Sequence, residues 1–67
     1  MTYGRIIREL RQENNLTQKE LAEKIGYSKA IIGFWENEKN EPTISALVML
    51  SKVFNVSIDY LAGNNEL

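Results

Sequence analysis

Thr17-Gln18-Lys19-Glu20 is a capping box, and it fixes the start of a helix more firmly than any other feature of the chain. The Thr17 hydroxyl can accept from one orphan backbone N–H while Glu20 reaches back to the Thr17 amide. Leu16 before the cap and Leu21 four residues after it sit where two apolar side chains clamp the entry of the chain. Leu21, Ala22 and Ile25 then form a buried stripe, and Gly26 supplies a residue that turns the chain at positive φ. Ser28 caps a further helix, with Tyr27 and Ile32 as its clamping pair and Ile32 and Trp35 facing inward.

The flanking segments repeat this grammar. Tyr3, Ile7 and Leu10 recur at helical spacing, with Arg5, Arg8, Glu9 and Arg11 on the other faces, which predicts an amphipathic first helix ended by Asn14-Asn15. Asn37–Pro42 reads as a polar connection. Thr43 caps a fourth helix with Leu47, Leu50 and Phe54 inward, and Asn55 ends it. Ser57 caps a short fifth helix, clamped by Val56 and Leu61. The expectation is an all-α, compact five-helix domain over residues 1–63, with 64–67 a flexible tail or the start of a linker.

Composition narrows the chemistry. The chain has 67 residues, so most apolar side chains must serve the core and few are left to shape a catalytic cleft. Cysteine and histidine are both absent, which removes disulfides, zinc-finger ligation and histidine acid–base chemistry together. Paired catalytic carboxylates, a nucleophile with its base and a phosphate-cradling glycine loop are not visible either, so neither an enzyme nor a cofactor or metal site is expected. No apolar run approaches a membrane span, and no signal-peptide pattern opens the chain. A cytoplasmic location with no membrane partner and no small-molecule substrate fits these features. The formal charge of −1 lacks the basic excess of a strong nonspecific nucleic-acid binder. Any affinity for DNA must come from the placement of a few cations, from helix N-termini and from dimerisation.

Between Gln18 and Trp35 the spacing meets the joint demands of a helix-turn-helix: a small residue where the helices cross (Ala22), a positive-φ turn (Gly26) and an apolar residue that fixes the angle (Ile32). With Arg11, Leu16–Ala22, Ile25-Gly26, Ser28, Ile32, Trp35-Glu36-Asn37, Pro42, Val56-Ser57 and Leu61, the sequence resembles the helix-turn-helix domains of phage repressors, Cro proteins and their bacterial relatives, from about Tyr3 to Gly63. The resemblance implies a lambda-repressor-like DNA-binding domain. In that family the third helix, here about Ser28–Asn37, enters the major groove of double-stranded DNA, usually within a symmetric homodimer that regulates transcription, most often as a repressor.

Residue by residue, the resemblance implies that Gln18 contacts a phosphate, that Lys29 and Ala30 touch base edges, and that Gly33 and Phe34 form the next exposed turn. Ser28 is first a cap and second a phosphate contact. Lys39 and Asn40 fall in a loop that runs along the backbone, with a plain solvated loop as the alternative. Arg11 and Glu36 match a structural ion pair. The reading face is apolar for such a protein, since Lys29 is its one strong hydrogen bonder to bases. Gly33 inside a helix costs about 1 kcal/mol relative to alanine, which suggests close approach of DNA or of another backbone, or else a tolerant surface position. Glu38 stands where relatives commonly have glycine, which leaves the shape of the following loop open. Ile31 and Phe34, read as exposed, admit a second reading: a protein-interaction or antitoxin-like module.

Overall fold

The structure is a computed structural model that describes residues 3–63; the expected tail at 64–67 lies outside the described residues. The helices are α1 (Tyr3–Glu13), α2 (Gln18–Ile25), α3 (Lys29–Glu36), α4 (Ile44–Phe54) and α5 (Ile58–Leu61). No strand occurs among the described residues.

Local signals in the sequence set these boundaries. Thr17 Oγ1 accepts from the Glu20 amide at 3.0 Å while Glu20 Oε1 accepts from the Thr17 amide at 2.8 Å, completing the capping box. Ser28, Thr43 and Ser57 cap α3, α4 and α5 in the same way, each accepting from the amide three residues on. Gly26 turns the chain at φ 78°, and a Cβ added there would meet nothing within 4 Å. Glycine is needed at that position for its torsion angle rather than for space.

The largest fully buried side chains are Ile7, Leu21, Ile32, Leu50 and Leu61, one from each helix. They converge because each lies on the apolar stripe of its own helix. α3 packs on α1 and α2, α4 on α2 and α5, and α5 reaches α1, so α3 is held from two sides. The Tyr27 ring lies 5.2 Å from that of Trp35 at 60°, sealing the turn between α2 and α3. Leu16 and Val56 pack against the core as the clamping pairs require.

Three expectations change. Ile31 is half-buried against the core, because α3 packs on both α1 and α2, so it is not an exposed residue. Leu47 is likewise only half-buried, and the fully buried place in that turn of α4 goes to Ala46. The loop shape left open at Glu38 is also determined. Glu38 takes φ 58°, the left-handed conformation that glycine would have adopted freely and that costs other residues about 1–2 kcal/mol.

Candidate nucleic-acid interface

α3 has two unlike faces. Ile32, Trp35 and Glu36 point into the molecule and are buried, whereas Lys29, Ala30 and Phe34 are exposed and Gly33 is half-buried. Ser28 is exposed at the helix start, where its hydroxyl accepts from the Ile31 amide at 3.3 Å. Neither Lys29 nor Lys39 has a side-chain hydrogen bond or ion pair with any described residue. Both ammonium groups are thus available to an external acceptor.

The inner face is anchored on a buried carboxylate. Arg11 donates from Nε to Glu36 Oε2 at 2.6 Å and from Nη2 to Oε1 at 3.1 Å, a two-pronged pair that joins α1 to α3 as the resemblance implied. Arg11 Nη1 also donates to the Leu16 carbonyl at 2.9 Å, tying in the entry to α2. Gln18 Nε2 donates to Glu36 Oε1 at 3.1 Å, and Arg8 Nε approaches the same oxygen at 3.5 Å. Burial alone would raise the Glu36 carboxyl above its ordinary 4.5. Hydrogen bonds from Arg11 and Gln18, the Arg11 charge and the Arg8 donor together hold it below that value. Glu36 therefore stays ionised at neutral pH, with its charge balanced inside the protein rather than facing solvent.

Gln18 was expected at a phosphate or as a plain surface residue, and one of its amide protons is instead committed to Glu36. Its other N–H and its carbonyl oxygen remain for an outside partner. A Cβ at Gly33 would lie 3.9 Å from the Gln18 amide atoms, an ordinary contact. Gln18 and Gly33 are thus brought together at the α2–α3 seam, and no neighbouring backbone requires glycine at position 33.

The loop after α3 is pinned to the last turn of α3 and to α1. The Lys39 amide donates to the Phe34 carbonyl at 2.8 Å, the Glu38 amide to the Trp35 carbonyl at 3.1 Å, and the Tyr3 hydroxyl to the Asn40 carbonyl at 3.0 Å. Burial, then the nearby charges of Glu38 and Glu41, raise the Tyr3 hydroxyl above its ordinary 10.0, so it remains a donor at neutral pH. The Lys39 and Asn40 side chains are left exposed.

Sequence reasoning missed Arg8, which donates to the Glu36 carbonyl at 3.5 Å and to Asn37 Oδ1 at 3.4 Å. A signal existed: Arg8 lies three residues before Arg11, on the same face of α1. The double role of Gln18 left no such trace, because it depends on how α2 crosses α3.

Comparison with known proteins agrees with this geometry. The family model described as "Helix-turn-helix" matches residues 7–61. An uncharacterized HTH-type transcriptional regulator, YobD of Bacillus subtilis (strain 168), is 41% identical over 61 residues, covering 91% of this chain and 54% of that protein. The HTH-type transcriptional regulator ImmR of the same strain is 38% identical over 66 residues, covering 98% and 52%. The chain thus spans about half the length of these curated relatives. Among solved structures, the P22 c2 repressor protein in complex with synthetic operator 9T superposes with a TM-score of 0.85 at 36% identity, covering 88% of this chain and 89% of that one. With five helices, a capped turn at Gly26 and these matches, the chain belongs to the helix-turn-helix family, in its phage-repressor form.

Proposed function

We propose that the chain binds duplex DNA with sequence preference and regulates transcription, most simply as a repressor, with α3 lying in the major groove. The observation that carries this reading is the division of α3: its inner face is tied to α1 and α2 through Glu36, while Lys29, Ala30 and Phe34 are left outside. The likeness to a repressor described in complex with a synthetic operator supports the same reading.

In this reading Lys29 donates to guanine O6 or N7, and Ala30 and Phe34 touch thymine methyl groups. Gly33 admits close approach, and the free N–H of Gln18 and the Ser28 hydroxyl meet phosphates beside the helix N-termini. Lys39 and Asn40 follow the backbone from the loop. One good base contact and few free cations make a single copy a weak binder, so the protein acts as a homodimer on two half-sites. It works in the cytoplasm of a bacterium or of a phage host, without chemistry of its own. No helix among the described residues is long and apolar enough to cross a membrane.

Selection of duplexes from a random pool at low salt tests the proposal. An enriched, near-palindromic motif is the expected result, and no enrichment over the starting pool would overturn it. One observation favours a protein partner instead: Phe34 leaves 41% of its surface exposed on the outward face. A Phe34→Ala change that abolishes a protein complex yet leaves duplex binding intact would decide for that reading.

A further inference from the structure

Four helices leave their last turn by the same device: a residue at positive φ, followed by an amide that reaches back to the helix. Asn15, Gly26, Glu38 and Asn55 hold the left-handed position. The returning bonds run from Leu16 to Arg11, Tyr27 to Ala22, Lys39 to Phe34 and Val56 to Ser51. Glycine and asparagine take this conformation readily. Glutamate does not, so something beyond the turn holds Glu38 there.

Its carboxylate supplies the reason. Glu38 Oε2 accepts from the Gly4 amide at 3.1 Å, one of the donors that the first turn of α1 leaves without a helical partner. Gly4 makes the approach possible, because a Cβ there would come within 2.7 Å of the Trp35 and Glu36 carbonyls and of Glu38 Cγ. On either side of this contact, Tyr3 holds the Asn40 carbonyl and Arg8 holds Glu36 and Asn37. The end of α3 and the loop that follows are thereby stitched to one edge of α1.

We propose that Glu38 is a positioning residue for the DNA-facing loop. Its carboxylate latches that loop to the first turn of α1, presents Lys39 and Asn40 outward, and turns its own negative charge onto a helix N-terminus instead of toward phosphate. The proposal rests on the DNA-binding reading above. It goes against the simpler view of Glu38 as an acidic residue that repels DNA, and the two views assign opposite signs to one substitution.

E38G relaxes the backbone but removes the latch, whereas Glu38→Gln keeps an acceptor for the Gly4 amide while removing the charge. Two readouts on the whole chain are needed: hydrogen exchange of the Gly4 amide by NMR, and affinity for a short duplex pool of random sequence at low salt. Exchange at Gly4 is expected to accelerate in E38G and stay slow in Glu38→Gln. Duplex affinity is expected to fall about five-fold in E38G and to be rescued in Glu38→Gln. The loss should vanish in a Lys39→Ala background, a coupling that a merely structural defect would not produce. Tighter binding by both variants would overturn the proposal in favour of repulsion, and unchanged Gly4 exchange in E38G would overturn it whatever the DNA result. If the wild-type chain binds no duplex, the DNA reading fails and the loop's role falls with it. Gly4 exchange then decides separately whether the latch exists.

Discussion

The two faces of α3 are built on different terms. On the inner face, Glu36 is nearly sealed from water and is met by donors from Arg11, Gln18 and Arg8. Among the described residues no buried side-chain polar atom lacks a hydrogen-bond partner. On the outer face, Lys29, Ala30 and Phe34 are exposed, and Lys29 has no partner within the described chain. One face spends its residues on holding the helix in place, which leaves the other free to vary without loss of the fold. Substitutions on the two faces should therefore separate, the inner ones moving stability and the outer ones moving recognition.

Arg11→Met should produce the largest effect. It removes three donors at once and strands a buried carboxylate, which costs about 3–5 kcal/mol when one side of a buried pair is taken away. Urea denaturation would measure it, and a loss below about 1 kcal/mol would mean that Arg8 and Gln18 suffice for Glu36. The same cluster sets an acid limit on the fold. The folded Glu36 carboxyl lies below its ordinary 4.5, so its stabilisation is fully present above that value and is lost as pH falls through the folded value. Stability should therefore decline on acidification below about pH 4.5. In Arg11→Met, with burial less opposed, the folded carboxyl moves up toward or past its ordinary value, so the acid-induced loss contributed by Glu36 should shrink or reverse.

Gln18→Ala blurs the separation, because Gln18 serves both faces. Loss of its hydrogen bond to a buried charge should cost about 1.5–3 kcal/mol of stability. Loss of its outward N–H should weaken binding to all duplexes about equally. A stability loss with no change in binding would assign Gln18 wholly to the scaffold. Lys29→Ala is the outer-face counterpart. It should leave stability within about 0.5 kcal/mol and remove about 1–3 kcal/mol of discrimination at one base pair in each half-site. Competition binding with single-base variants of a selected site would read it. A uniform loss across those variants would make Lys29 a phosphate contact.

The difference between the faces also marks what could be read without coordinates. Capping residues at Thr17, Ser28, Thr43 and Ser57 and turn residues at Asn15, Gly26 and Asn55 act through bonds a few residues long, so their sequence positions dictate the helix ends. The Arg11–Glu36 pair joins distant segments and became legible only through a resemblance to a family. The half-burial of Ile31, the second tie of Gln18 and the Gly4–Glu38 contact were not legible, because each depends on the crossing of two helices rather than on spacing along one. At Glu38 the resemblance pointed to glycine, and glutamate takes the same left-handed turn with a long-range hydrogen bond to the Gly4 amide.

Gly33→Ala should give the smallest change in stability and the sharpest test of the division. The nearest atoms to an added Cβ are those of the Gln18 amide at 3.9 Å, so nothing in the protein resists a methyl group there. Alanine in place of a helical glycine should stabilise the domain by up to about 1 kcal/mol. If position 33 is merely a tolerant surface site, the variant should melt higher and bind as well as before. If instead the bare backbone lets a base pair approach, the same methyl group should weaken binding to the selected site while the melting temperature rises. A gain in stability paired with a loss in affinity would locate the contact on this turn of α3. No internal defect of the fold could account for that combination.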